Sequence, residues 1–381
     1  MNEETFVREL ERRADHVHGA PLSFDDVRGR ARRLQRRRRS TAAAAVAAAV
    51  AVAAIVPAAI AGHDVRSDRL DPAPPAPVPS AHTAVLHNGV VQLPDGRSVH
   101  VGLAEDDVSQ LGYLTDGRIL AATMKPMAIQ VISTKESSRP SYPVTYNNFA
   151  VSADDRVAAW VDHAGHVQVL EAGRADPVEM AEVPTKYGAP PSVAAVTGAD
   201  CANGGCRVLV GDTTVWGATT SEGYEDVLPG KQLSVNDISP DGKLWAVHTE
   251  ATTDHELGCA GLYDPEADRL LVARNCEADN LDFSPDGRHL LSAYGENNMM
   301  VDPAVLDLHL EPVVDLTPDA RSTVVSRMAW VDPTHVLVST ADMNSRDWML
   351  ERIDLSGRVE VLAGQSPGPD PERGPAYLFS E

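Results

Sequence analysis

The side chains best suited by type to covalent or metal chemistry are four cysteines, Cys201, Cys206, Cys259 and Cys276, and a close histidine pair, His163 and His166. The cysteines have no C-x-x-C spacing and no ordered histidine pair beside them, which disfavours zinc. An even count is better read as two disulfides. Cys201 and Cys206 bracket Ala202-Asn203-Gly204-Gly205, while Cys259 and Cys276 flank an expected hairpin of 258–263 with 269–274. Pairing each cysteine with its nearer neighbour is the simplest connectivity open to them. His163 and His166 fall in an expected hairpin turn, where solvated histidines are the ordinary reading, so no metal is assigned to them. His255-Glu256 opens like a zincin motif without a second histidine in register, and no nucleophile elbow, Walker loop, dinucleotide fingerprint or EF-hand loop is present. The sequence therefore offers no catalytic residue, no cofactor and no metal site, and it reads as a binding protein rather than an enzyme.

The aspartates recur in a pattern that points to structure. Residues 282–291, Asp-Phe-Ser-Pro-Asp-Gly-Arg-His-Leu-Leu, repeat residues 237–246, Asp-Ile-Ser-Pro-Asp-Gly-Lys-Leu-Trp-Ala, at an offset of 45. Weaker copies lie at 112–120, 149–158 and 328–337, and 201–210 fills the remaining slot. In each strong copy proline presets φ at the first turn position, aspartate bonds back to nearby backbone, and glycine takes the positive-φ position. That role accounts for the aspartates without calcium ligation or acid–base catalysis. The flanking runs are apolar or alternating, as buried strands are, and a second hairpin follows, such as 167–170 with 178–181 or 350–354 with 359–362.

Turn residues at Gly117, Asp155, Gly205, Gly242, Gly287 and Pro333 are spaced by 38, 50, 37, 45 and 46. A period of about 40–45 residues carrying four strands is a propeller signature. The expected fold is thus all-β, a β-propeller of seven blades with six as the alternative. Six units fall near 108–138, 147–183, 192–229, 233–275, 280–316 and 324–365. The hairpin 84–103 and the terminal strand 376–380 would combine into a composite blade that closes the ring and removes exposed sheet edges. Trp160, Trp216, Trp245 and Trp330 fall in strands, as packing between blades. Ligand-contacting loops are expected at 136–144, 184–192, 219–224 and 252–257.

The Phe-Ser-Pro-Asp-Gly-Arg repeat at 283–288 resembles the TolB-like/PD40 and WD40-like propellers of bacteria, over about residues 84–381. The resemblance implies the fold and leaves the activity open, since propellers host binding modules and enzymes alike.

Charge divides the chain. Of the formal −22, residues 1–40 carry 11 arginines against 7 acidic residues, a net of +4 that leaves −26 for the remainder. So acidic a remainder repels phosphate and excludes nucleic acid as a partner. The run Arg36, Arg37, Arg38, Arg39 adjoins 22 uncharged residues from Thr41 to Gly62, nearly all alanine, valine or isoleucine. At about 1.5 Å per residue this is about 33 Å of helix, against a hydrocarbon core of about 30 Å. The arginines resist translocation and set the N-terminus in the cytoplasm. The expected organisation is a cytoplasmic arginine-rich helical tail (1–40), a transmembrane helix (41–62), a proline-rich linker (63–83) and an extracytoplasmic propeller (84–381) in the cell membrane. The alternative is a cleaved signal peptide, for which Ala59-Ile60-Ala61 before Gly62 supplies a site. Either way the bulk of the chain is exported to an oxidising compartment, in keeping with disulfides.

The arginine-ended tail, the alanine-rich span and the degenerate outer propeller together resemble actinobacterial single-pass membrane proteins encoded near extracytoplasmic-function sigma factors. That resemblance implies a sensor: the propeller binds an envelope ligand or protein, and the tail holds a cytoplasmic protein such as a sigma factor. The tail departs from zinc-type anti-sigma domains in lacking their His and Cys ligands. An envelope scaffold or assembly factor is the alternative, and an exported propeller hydrolase or lyase a third.

Overall fold

A computed structural model describes residues 83–133, 139–182, 192–211, 215–219, 223–228, 233–249, 259–272, 280–296, 299–318, 322–371 and 374–380. The expected tail, span and most of the linker lie outside them. Among the described residues no helix is long and apolar enough to cross a membrane.

The described chain is a succession of antiparallel meanders. The first strands are β1 (Val85–His87), β2 (Val90–Gln92) and β3 (Ser98–His100), followed by β4 (Val108–Tyr113), β5 (Ile119–Met124), β6 (Met127–Ile132) and β7 (Ser141–Pro143). Next come β8 (Ala150–Val151), β9 (Val157–Val161), β10 (His166–Glu171) and β11 (Val178–Glu182), then β12 (Val193–Gly198), β13 (Cys206–Gly211), β14 (Val215–Thr219) and β15 (Gly223–Asp226). These are followed by β16 (Leu233–Ile238), β17 (Trp245–Thr249), β18 (Cys259–Asp264) and β19 (Arg269–Leu270), and by β20 (Asn280–Phe283), β21 (His289–Glu296), β22 (Met299–Asp307) and β23 (Pro312–Asp315). The last are β24 (Thr323–Asp332), β25 (His335–Asp342), β26 (Asp347–Asp354), β27 (Val359–Pro367) and β28 (Leu378–Phe379). They form five four-stranded sheets and one eight-stranded sheet, in which β20–β23 and β24–β27 are joined through a pairing of Met300 with Val325.

The two ends of the domain share a sheet. β28 pairs antiparallel with β1, in the order β28-β1-β2-β3. Ala84 N donates to Ser380 Oγ (2.7 Å) and Ser380 N to the Ala84 carbonyl (2.9 Å), so the join is hydrogen-bonded on both sides.

The core lies between sheets rather than within one. Phe149 and Trp160 pack with Leu114, Leu120 and Ile129 of the preceding sheet, and Trp245 and Tyr263 with Leu209 and Ala195. Trp330 packs with Leu291 and Val305, and Trp348 with Tyr377 and Phe379 near the chain end. Leu378 in turn joins Leu111 and Ile119 of β4 and β5, which brings the succession back to its start. Tryptophan thus wedges neighbouring sheets apart and together, as the sequence suggests. Middle strands such as β9, Val-Ala-Ala-Trp-Val, are buried at every position because both of their faces are covered. This ring of meanders, cored by its interfaces, is the architecture of a β-propeller.

The strong repeats fold as one motif. Ser284 Oγ donates to Asp286 Oδ1 (2.7 Å) and accepts from the backbone N–H of Arg288 and His289 (3.2 and 3.0 Å), while Gly287 N closes the turn on the Ser284 carbonyl (2.8 Å). Ser239 with Asp241 and Ser152 with Asp154 repeat these contacts. Gly242 and Gly287 have φ of 74° and 69°, and Asp155 holds the same conformation at φ 54°.

Adjacent sheets are also latched through side chains. Arg118 in the β4–β5 turn donates to Asp116 through Nε and Nη2 (2.8 and 2.7 Å) and reaches the carbonyls of Arg174 (2.7 Å) and Glu171 (2.5 Å) in the next sheet's turn. Gly173 N donates back to Asp116 Oδ2 (2.7 Å).

Candidate functional site

Because successive strands are antiparallel, the loops joining second to third strands and those joining one sheet to the next share one face; the Ser-Pro-Asp-Gly turns share the other. Of the loops expected to contact ligand, 252–257 and 184–191 lie outside the described residues, as do 136–138 and 220–222. Two expectations are corrected by what remains. Residues 141–143 form the outer strand β7, paired with β6, and Thr219 pairs with Gly223 across β14 and β15, within one sheet rather than between two.

Cys201 and Cys206 are joined by a disulfide, with Cα atoms 4.5 Å apart. The bond spans a single turn of 3-10 helix, Cys201–Asn203, that enters β13 through Gly204 in the left-handed region (φ 82°). The loop is so tight that a Cβ on Gly198 would stand 2.1 Å from the Gly205 carbonyl oxygen, and one on Gly205 2.1 Å from that of Ala199. Cys259 at the start of β18 is also disulfide-bonded. Its expected partner Cys276 lies outside the described residues, as do Arg36, Arg37, Arg38 and Arg39. The described part of the hairpin beside Cys259 is shorter than expected: β19 is only Arg269–Leu270.

Polar side chains of the first strands tie one sheet to the next. Gln110 of β4 donates through Nε2 to the Phe149 carbonyl (2.8 Å) and accepts from Phe149 N at Oε1 (2.9 Å), like an extra rung of sheet. Asn148 Nδ2 donates to the Val193 carbonyl (3.0 Å), and Asn236 Nδ2 to Asn280 Oδ1 (3.2 Å). Asp237 Oδ1 accepts from its neighbour Ile238 N (2.7 Å) and Oδ2 from Phe283 N of the next sheet (2.7 Å). Its carboxyl also hydrogen-bonds that of Asp282, the equivalent residue one repeat on. Burial pushes the Asp237 carboxyl above the usual carboxylate range, against its hydrogen bonds. The Asp282 carbonyl accepts from Trp330 Nε1 of the following unit (3.2 Å), so three successive first strands are connected. The sequence marks these two acids only as the first residue of each strong repeat. What it does not show is that adjacent first strands bring them into contact.

The second grouping lies at the β9–β10 turn, on the face of the loops between sheets. Asp162 Oδ1 accepts from Ala164 N (2.8 Å) and His166 N (3.0 Å), which leaves Oδ2 outward. His166 Nδ1 lies 3.7 Å from that oxygen. Gln168 Nε2 sits between Asp162 Oδ2 (3.1 Å) and Glu179 Oε2 of β11 (3.4 Å). The expected neighbour His163 is exposed on the turn and stands apart from this set. Burial alone would raise the Asp162 carboxyl, but hydrogen bonds from His166 N, Gln168 and Ala164 N, with the charge of His166, hold it below the usual range.

No protein-family model matches this sequence, and no curated protein matches it. Solved structures do resemble it as folded chains. Dihydro-heme d1 dehydrogenase NirN in complex with DHE is 14% identical with a TM-score of 0.45, over 77% of this chain and 76% of that one. TolB from Acinetobacter baumannii is 11% identical with a TM-score of 0.44, over 80% and 68%. Selenomethionine-substituted virginiamycin B lyase from Staphylococcus aureus is 12% identical with a TM-score of 0.44, over 75% and 89%. Likeness at this level says nothing of activity or ligand, and the propeller assignment rests on the sheets themselves.

Proposed function

We propose that this chain is a membrane-anchored, extracytoplasmic propeller of seven blades that binds a protein or other envelope ligand and regulates a cytoplasmic partner through residues 1–40. The carrying observation is the order of segments: an arginine run at 36–39, an uncharged apolar stretch of helix-spanning length, a proline-rich linker, then a propeller. Seven blades are favoured because the eight-stranded sheet divides at a single pairing into two meanders, and because seven buried clusters each join consecutive units. Disulfide bonding of Cys201 with Cys206 agrees with an oxidising side of the membrane. A sigma factor is the proposed cytoplasmic partner, on the resemblance of the tail and span. The test is affinity purification of the C-terminally tagged full-length chain from crosslinked native membranes. Recovery of a sigma factor that is lost when residues 1–40 are replaced by an unrelated basic anchor supports regulation. Recovery of envelope proteins alone, indifferent to that replacement, overturns it in favour of an anchored scaffold.

A further inference from the structure

We propose that Asp162, His166 and Glu179 bind a divalent transition-metal ion of the zinc type on the loop face of the propeller. The three donor atoms, one imidazole nitrogen and two carboxylate oxygens, lie within 4.8 Å of one another. Bond lengths of about 2.0–2.2 Å to zinc require neighbouring ligands roughly 3.3–3.6 Å apart in a tetrahedron. The 3.7 Å between His166 Nδ1 and Asp162 Oδ2 is within a small side-chain adjustment of that spacing. The amide of Gln168 lies 3.1 and 3.4 Å from the two carboxylates, within reach of the same ion. Rotating it by half a turn presents its oxygen in place of its nitrogen, and the two assignments differ only by the hydrogen-bond network that selects them.

Three features favour an ion over an incidental cluster. Asp162 is fixed by two backbone N–H bonds to Oδ1, so its second oxygen, which accepts from Gln168 Nε2, is oriented before any ligand arrives. Glu179 comes from a strand on the far side of β10, opposite Gln168, and no turn requirement explains its presence. Two carboxylates face one neutral amide and one imidazole, an excess of negative charge that a divalent cation offsets. The donor set discriminates among cations. An imidazole with carboxylates suits zinc, nickel or cobalt, whereas calcium and magnesium take all-oxygen shells. A second group, Glu171 with Cys201 and Cys206 at the other end of β10, does not compete, because those sulfurs are consumed in the disulfide.

The test uses the detergent-purified full-length chain, dialysed free of metal and equilibrated with micromolar zinc, with bound zinc measured by atomic emission. His166→Ala and Glu179→Gln should each weaken uptake at this site by at least the roughly 10–100-fold that loss of an outer-shell partner costs. His309→Ala, in an exposed turn elsewhere, serves as the control and should not change uptake. Unchanged circular dichroism of all three variants confirms that the fold is retained. Zinc uptake by the unaltered chain that is equal in both site variants, or no uptake at all, overturns the proposal.

Discussion

Replacing Arg118 by alanine should cost far more than an ordinary surface substitution. The guanidinium has 11% side-chain exposure and joins the Asp116 carboxylate to the Glu171 and Arg174 carbonyls of the neighbouring sheet. Hydrogen bonds to charged groups contribute about 1.5–3 kcal/mol each, but the freed carbonyls regain water. The net expectation is about 3–4 kcal/mol, of which part is the half-buried Asp116 left without its cation. Arg118→Lys keeps the charge and loses the fork, so about half of that loss should remain. The pH dependence separates this account from simple loss of packing. Burial by itself would raise the Asp116 carboxyl; the hydrogen bonds from Arg118 and Gly173, with the guanidinium charge, bring it below 3.8. A lowered folded-state value stabilises above the unfolded-state value and is lost as pH falls through the folded one. Urea unfolding followed by tryptophan fluorescence should therefore show the full alanine cost at neutral pH and a smaller cost below pH 3.8. A cost under about 1 kcal/mol, or one that does not change with pH, would refute the latch as described.

Other expectations follow from the same contacts. Ser284→Ala removes a fully buried hydroxyl, taking the acceptor from His289 N–H and one donor from Asp286, so unfolding free energy should fall by about 1–3 kcal/mol in the same assay. Gly205→Ala drives a methyl into the Ala199 carbonyl and should cost about 3 kcal/mol or more, with the disulfide loop losing protection in hydrogen exchange. The raised Asp237 carboxyl favours folding at low pH, a contribution that fades as pH rises through its folded-state value. Asp282→Asn supplies a permanent donor to Asp237, so denaturation midpoints should become flatter with pH and higher on the alkaline side; an unchanged slope would count against Asp282 as the partner of the raised carboxyl.

Local chemistry was easy to see in the residues, and contacts between repeats were not. Pro-Asp-Gly announced the turns at 240–242 and 285–287 because proline, aspartate and glycine each act within the turn itself. The hub of those turns is nonetheless the serine before the proline, whose hydroxyl has no distinctive signature among exposed serines. β7 is not legible in the sequence because Pro143 reads as a breaker, yet an outer strand tolerates proline where no partner requires its N–H. The Asp237–Asp282 contact depends on two first strands lying side by side, which no periodicity encodes. The Asp162 group is only half legible: the hairpin 167–170 with 178–181 sets Gln168 opposite Met180, and the register shift between His166 and Gln168 that brings Glu179 there instead has no sequence signal. The tryptophans were legible as wedges because large rings within apolar strands have few other places to go.

The shared sheet of β28 and β1 has a consequence for biosynthesis. Leu86 pairs with Leu378, nearly the whole length of the domain away, and closing a flexible loop of that size costs about 5 kcal/mol of chain entropy. The ring therefore cannot close until Leu378 and Phe379 have left the ribosome. A chain cut short before Leu378 leaves β1 with a bare edge and the Leu86–Leu111–Leu378 cluster open to water. Closure is thereby built into the fold as a length check on β28: copies cut short of it present an unfinished strand to proteases and chaperones, and copies that reach it hide that strand.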